Sequence, residues 1–386
     1  MTGQSKPGFQ VDRESLLKTL QRVQSVVDRK NTIPILSHLL IEADGKEVVF
    51  SATDLEVGIR VKIPASVRQS GKVAVPAKSF YEIVRELPSE SSVQIQIFEN
   101  FWVEIISGKS VFRLVGQDSD EFPQLPQVDQ SKAARLTCGQ FSEMIDHTIF
   151  AVSNDQTRYD LSGVFLEQLK SKGKSYLRMV ATDGHRLSMM DQEIEGMADS
   201  HLDNGVILPR KGLTELRRVL GDEEHIFLSL QENNAVFWNP NQQFQLFMRL
   251  LDGEFPDYTP VIPQNNDKRV VVRREQLLNS LKRISVLSME HSRSVKFQFH
   301  DGKLQLFSSN PKLGEAKEDV DIDYQGEAVE IGFNAGYFID ILNALDDQEN
   351  IVMELTDTLS PSVVKGIKFD GSLNIVMPMQ LGSDAV

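Results

Sequence analysis

One pattern occurs three times in this chain. An apolar strand ends in a Pro or small-residue turn and leads into an amphipathic helix at VAVPAKSFYEIVREL from Val73, VILPRKGLTELRRVL from Val206 and IGFNAGYFIDILNAL from Ile331. Apolar residues recur at i, i+3, i+4 and i+7 in each, as Leu213, Leu216 and Leu220 do in the second, a spacing that gathers them on one helix face. Pro76, Pro209 and Asn334 open the helices as cap-like turns. Three further patterns keep the same order. A strand followed by a helix begins at Phe9, Leu136 and Val270, and a strand–turn–strand unit begins at Val49, Met179 and Leu304. A closing segment with a Phe-Pro dipeptide at 122–123 and 255–256 ends the first two copies.

The copies lie about 125–135 residues apart, too far for a solenoid unit and right for a whole domain. The length agrees, since 386 residues exceed the roughly 250–300 that one hydrophobic core serves. The Pro-rich segments 122–133 and 256–268 read as linkers. The expectation is an α+β chain of three similar domains, 1–128, 129–262 and 263–386, each with two helices packed on antiparallel sheets.

No apolar run reaches the roughly 18 residues of a membrane helix. No apolar stretch follows MTGQSKPGFQ, so no signal peptide is expected. Cys138 is the one cysteine; a buried structural thiol in a reducing cytoplasm is expected. The net charge of −14 argues against nucleic acid if it is spread evenly. It is not. The six predicted helices together carry +5, which leaves −19 for the rest, and residues 210–220 and 273–287 carry +3 each.

Catalytic chemistry finds little support. Histidines 38, 147, 185, 201, 225, 291 and 300 make no pair at metal-ligand spacing. The Gly-Lys-Ser tripeptides at Gly108 and Gly173 lack the upstream glycine of a phosphate loop, since Val103 and Gln168 stand there. There is no G-x-S-x-G. Asp183, His185 and Arg186 suggest an acid–base cluster, but alternate strand residues point to opposite faces. Neither a cofactor nor a metal is expected.

IPILSHLLIEA from Ile33, ATDGHRL from Ala181, LPRKGL from Leu208, GEFPDY from Gly253 and the tail NIVMPMQL from Asn374 narrow the reading. With the three repeats, they make the chain resemble the bacterial DNA polymerase III β subunit family over essentially its whole length. The resemblance implies a sliding clamp, a head-to-tail homodimer whose six domains form a ring lined by twelve helices around double-stranded DNA. Twelve helices about 9 Å apart enclose a hole at least ~23 Å across, comparable with a duplex. A clamp must slide, so its lining should meet phosphates rather than read bases. The basic helix residues Lys18, Arg22, Lys30, Lys78, Arg85, Arg210, Lys211, Arg217, Arg218, Arg274, Lys282 and Arg283 are the candidates. The resemblance adds Arg158 and Tyr159 of a DNA-touching loop, although Asp160 stands where relatives often have a second tyrosine.

The resemblance also implies a pocket where partners insert short peptides bearing a glutamine and apolar anchors. Its positions are Leu161, Thr182, Gly184, His185, Arg186, Leu187, Pro256, Val261, Asn334, Tyr337, Leu359, Ile375, Val376, Met377, Pro378, Met379 and Leu381. Methionines suit a surface that accepts many partners, and Pro378 fixes the tail's φ. Gln380 replaces a common arginine, Ser292 sits where some relatives have an aromatic, and Gly382–Val386 run past the usual end. Without the family, Thr182–Gly184 is only a tight turn and the tail an edge strand. Implied partners are the clamp loader, the replicative polymerase subunit, and other polymerases and repair proteins. Phe112 and Leu114 of an edge strand are implied to meet Val286 and Leu287 of a second copy. The rival reading is a protein-interaction scaffold that never encircles DNA; it would keep the repeats without needing basic helices.

Overall fold

The computed structural model describes residues 7–27, 33–131, 133–155, 157–171, 173–194, 202, 204–221, 223–231, 233–288, 293–368 and 371–380. Lys30, Ser292, Leu381 and the five tail residues lie outside them. Six α-helices stand among the described residues: α1 (Arg13–Gln24), α2 (Ala77–Glu86), α3 (Cys138–Asp146), α4 (Arg210–Leu220), α5 (Arg274–Ile284) and α6 (Ala335–Ala344). None is long and apolar enough to cross a membrane.

The chain forms two compact units. The first comprises Met1–Phe141, Gly196–His201 and Leu208–Leu250. In it, strands Ser66–Gln69, Gly8–Asp12, Ser92–Ile97, Trp102–Ser107 and Ser110–Val115 form a five-stranded antiparallel sheet in that order. An eight-stranded sheet runs Ala134–Thr137, His225–Gln231, Asn234–Trp238, Phe244–Arg249, Val57–Pro64, Glu47–Thr53, His38–Asp44 and Gly71–Pro76. Period-two alternation builds these strands: Val48, Phe50 and Ala52 are buried in one strand and Ile59, Val61 and Ile63 in the next. Leu16, Leu20 and Val23 of α1 and Phe80 and Val84 of α2 are buried against them.

The second unit comprises Ser142–Glu195, Leu202–Ile207 and Leu251–Val386. Strands Gly163–Ser171, Lys174–Thr182 and Arg186–Ile194 continue through Ser372–Val376, Ser362–Gly366, Asn350–Leu355 and Lys268–Arg273 to Gly314–Asp323, Lys303–Asn310, Ser294–His300 and Val329–Asn334. Its core includes Phe297, Phe333 and Phe338, with ring centroids 5.0–5.1 Å apart, beneath α5 and α6.

The repetition read from sequence is present down to single bonds. The first N–H of α1, α3 and α5 each donates to a carbonyl just before a strand: Arg13 to Ser91, Cys138 to Glu224 and Arg274 to Glu349, all at 3.0 Å. Arg13 also donates from Nε to the Val84 carbonyl at the end of α2 (3.1 Å). Arg274 reaches the equivalent Leu342 carbonyl of α6 from Nη1 (2.9 Å) and the Gln348 carbonyl from Nε (3.0 Å). These guanidinium groups satisfy carbonyls that a helix end leaves open. Arg274 is therefore a helix cap, with two of its N–H groups committed to carbonyls. Cys138 takes the same position in the middle copy, is buried as expected, and its thiol is pushed up to about 11 by burial.

Candidate functional site

The turn joining Lys174–Thr182 to Arg186–Ile194 organises the second unit's candidate pocket. Thr182 Oγ1 donates to the Arg186 carbonyl (2.6 Å) and accepts from the Gly184 N–H (3.0 Å). Asp183 Oδ1 accepts from the N–H groups of His185 (2.9 Å) and Arg186 (3.0 Å). Gly184 adopts φ +90°, a conformation that favours glycine, and Arg158 Nη1 lies beside it, 2.9 Å from where a Cβ would stand. Arg158, expected to reach DNA, thus lies beside this turn.

Arg186 is the hub. It is 8% exposed. Its guanidinium donates to Asp183 Oδ2 (3.1 Å), Asp340 Oδ2 (2.6 Å) and the Phe150 carbonyl (2.6 Å). It also lies 4.6 Å from the Tyr337 ring centroid and 5.4 Å from that of Phe150, a cation–π sandwich. Burial, followed by the Asp183 charge, raises the Tyr337 hydroxyl pKa. Asp183 and Arg186 were expected to point apart as alternate strand residues. They meet because Asp183 lies in the turn and folds back on Arg186, where the strand begins. Sequence reading missed Asp340 and Phe150. Asp340 was accessible in principle, lying three residues after Tyr337 on one helix face.

The apolar wall is Leu187, Met189, Val180 and Ile375, backed by Phe165, Phe255, Tyr258, Ile262 and Leu373. Phe165 and Phe255 stack at 4.9 Å. Tyr258 is tied below by a hydrogen bond to Glu167 and one from Arg178 (3.1 Å). Met377 N–H donates to the His185 carbonyl (2.9 Å) and Met379 N–H to the Gly332 carbonyl (2.8 Å), so the tail bridges two strands with Pro378 between. Ile375 faces the wall, whereas Val376 turns into the core that contains Phe338. That removes Val376 from the expected lining, by alternation. Asn334 uses its side-chain oxygen to cap α6 through the Gly336 N–H (2.9 Å). Leu161 is buried, Pro256 and Val261 are exposed, and Leu359 stands 75% exposed on a turn held by Asp357.

The expected phosphate contacts separate by environment. On α4, Gly212, Leu213, Glu215, Leu216, Val219 and Leu220 are buried while Arg210, Arg217 and Arg218 are exposed together at i, i+7 and i+8. Lys18 and Arg22 on α1, Lys78 and Arg85 on α2, and Lys282 on α5 are likewise exposed. Arg218 leans on Glu215 (2.7 Å), Lys78 on Glu82 (3.8 Å) and Arg85 on Glu86 (3.0 Å). Two more of the expected cations are ion-paired in the same way. Lys211 is paired with Asp54. Arg283 grips Glu318 and holds that carboxyl below its usual value. The faces of α3 and α6 carry Glu143, Asp146 and Asp340 instead, so the positive charge is concentrated on α1, α4 and α5.

Comparison with known proteins decides the family. Models of the DNA polymerase III beta subunit match in succession: the N-terminal domain over residues 8–126, the central domain over 135–257 and the C-terminal domain over 259–380. The chain belongs to the bacterial DNA polymerase III β subunit family. It is 34% identical to the beta sliding clamp of Chlamydia pneumoniae over 376 residues, 97% of this chain and all of that one. It is equally similar, at 34%, to that of Pseudomonas putida over 377 residues, 97% of this chain and all of that one. The solved Caulobacter crescentus beta sliding clamp superposes with a TM-score of 0.91 at 34% identity, covering 98% of this chain and all of that one. The Bartonella birtlesii clamp, solved with griselimycin bound, also gives 0.91, at 33% identity and the same coverage. Family membership makes the chain a DNA sliding clamp, an accessory of the replicative polymerase, and disfavours the scaffold reading.

Sliding-clamp membership directs attention to the sheet edges. Among the described residues, Ser110–Val115 pairs on one side only, with Trp102–Ser107. Phe112 and Leu114 share one of its faces, opposite Ile105 and Val103. In the other unit, Gly314–Asp323 pairs along its length with Lys303–Asn310 but meets Lys268–Arg273 only at Ile322 and Asp323. The first edge carries Arg113, paired with Glu104 (2.7 Å), with Lys109 in the turn before it; the second carries Glu315, Glu318, Asp319, Asp321 and Asp323 against Lys317. Val286, 74% exposed, projects from the short turn Ser285–Leu287 after α5, with Leu287 half-buried beside it.

Proposed function

We propose that two copies of this chain close head-to-tail into a ring around double-stranded DNA, with three domains per copy bounded near 128/129 and 262/263. The observation that carries the DNA reading is the α4 face: three arginines exposed together in a chain of net charge −14. Such cations favour phosphates through counterion release, a contact that carries no sequence information, as sliding requires. Lys18, Arg22, Lys78, Arg85 and Lys282 extend the lining, and exposed Tyr159 joins them. The ring reading is supported by two different sheet edges left open among the described residues, since unlike patches make a head-to-tail contact and open edges invite pairing. Phe112 and Leu114 pack on Val286 and Leu287 of the second copy.

The pocket of Leu187, Ile375, Met377 and Met379 receives short peptides from the polymerase, the clamp loader and repair proteins. The protein works in the cytoplasm and catalyses no reaction itself. Each apolar anchor contributes roughly 1.5–3 kcal/mol on burial; two anchors, less the cost of ordering the peptide, give binding of about micromolar strength. Deleting Met377–Val386 should abolish binding of a labelled peptide carrying a glutamine and two apolar anchors, while sedimentation still shows a dimer. Unchanged peptide affinity in a dimeric truncation would move the pocket elsewhere; a truncation that falls to monomer would make the tail a structural strand.

A further inference from the structure

The turn that shapes the tail pocket has a counterpart in the first unit. Thr53 Oγ1 donates to the Val57 carbonyl (3.0 Å) and accepts from the Leu55 N–H (3.0 Å). Asp54 Oδ1 accepts from the N–H groups of Glu56 (3.0 Å) and Val57 (2.7 Å). These are the bonds of Thr182 and Asp183, one for one. The neighbouring strand repeats too. Arg249 N–H donates to the Glu56 carbonyl (2.8 Å) as Met377 N–H does to that of His185 (2.9 Å). Phe247 pairs with Gly58 as Ile375 pairs with Leu187. The linker after each Phe-Pro dipeptide crosses the same sheet face, placing Leu125 where Tyr258 lies in the other unit.

A cavity of about 390 Å³ opens at this place, lined by Leu55, Glu56, Gly58, Leu125, Phe247 and Arg249 among others. Three substitutions relative to the tail pocket set its chemistry. Gly58 replaces Leu187 and lets Leu125 lie on the strand, where a Cβ would come 2.5 Å from Leu125 Cδ2. Arg249 replaces Met377; it is exposed and makes no ion pair among the described residues. Leu55 replaces Gly184 and keeps a left-handed φ of +78° while 53% exposed. A leucine there costs both backbone strain and solvent exposure. Its side chain forms part of the cavity lining.

We propose that this cavity is a second peptide-docking site, for an extended segment that presents a branched apolar side chain beside a carboxylate. The apolar side chain lies over Leu55, Leu125 and Phe247. The carboxylate meets Arg249, whose charge only Glu56 offsets in the lining, Asp54 being paired with Lys211. The volume is at the lower end for small-ligand pockets, enough for a dipeptide-sized segment. The inference rests on reading the tail pocket as a peptide site, but it selects a different ligand: an acid where the tail pocket offers methionine.

The test is methyl NMR on the full-length, leucine-labelled protein, with N-acetyl-leucine as the probe and N-acetyl-leucinamide as its uncharged control. The acid should shift the Leu55 and Leu125 methyl signals and bind at least about fivefold more tightly than the amide. Arg249→Ala should bring the acid down to the level of the amide. Leu55→Gly should weaken the acid by several fold with an unchanged or higher melting temperature, because glycine suits that φ. Equal binding of acid and amide to the wild type, or an Arg249→Ala protein that still prefers the acid, overturns the proposal. The Leu187 methyl reports the tail pocket in the same spectra. No shift at Leu55 and Leu125, with Leu187 responding to a glutamine-bearing peptide, refutes this site alone; silence at both refutes the reading beneath it as well.

Discussion

Arg186 and Arg218 lie in different units, and each side chain's surroundings decide what its charge does. Arg186 is nearly excluded from water, gripped by Asp183 and Asp340 and sandwiched between Phe150 and Tyr337. Arg218 is exposed beside Arg210 and Arg217 and touches one carboxylate, Glu215, three residues back. A buried, fully bonded guanidinium fixes geometry, because moving it strands two carboxylates. An exposed one keeps its charge available to a polyanion, even where, as here, it also leans on a buried carboxylate. The pocket and the α4 face thus use one residue type for precision in one place and for a smooth field in the other.

Replacing Arg186 with Ala should break that contrast most severely. It removes a cation from between two acids, so a loss of about 3 kcal/mol is expected, the low end for a stranded buried charge, since Asp340 is 44% exposed and water reaches it. Chemical denaturation measures this; a loss under about 1 kcal/mol would mean that Arg186 behaves like a surface residue. Replacing Arg210 and Arg217 together with Gln, and leaving Arg218 on the buried Glu215, should leave stability within about 1 kcal/mol but lower DNA affinity. The slope of log affinity against log salt should fall by about one for each phosphate that α4 no longer neutralises. An unchanged slope would remove α4 from the DNA face.

A smaller effect is expected at Cys138, where the other two copies have a helix-capping arginine. Burial holds the folded thiol at about 11 against an ordinary value of 9.0. The unfolded chain therefore ionises first, and this contribution to stability, intact below pH 9, is lost as pH rises towards 11. Cys138→Ala should flatten that decline. Wild type and variant losing stability in parallel above pH 9 would show that the thiol is not held neutral.

The repeats were legible because strand and helix periodicities are local, and because Pro76, Pro209 and Asn334 mark three equivalent starts. The α4 face was legible for the same reason, since the spacing of Arg210, Arg217 and Arg218 alone puts them together. What stayed hidden depends on bonds between distant residues. Arg274 meets a carbonyl 68 residues away and Arg186 a carboxylate 154 residues away; no local pattern announces either bond. Nor could alternation tell which of Ile375 and Val376 faces the pocket, because a register fixes that two neighbours point apart without saying which side is buried deeper.

The central claim is a closed ring around DNA held by its topology. The most direct measurement loads the protein onto a nicked circular duplex with a clamp loader and follows its retention through gel filtration, before and after the circle is cut. The account predicts that protein stays on the circle in salt high enough to strip phosphate contacts, and is released once the DNA is linear. Equal retention on circle and line, or release from both at the same salt concentration, would contradict it.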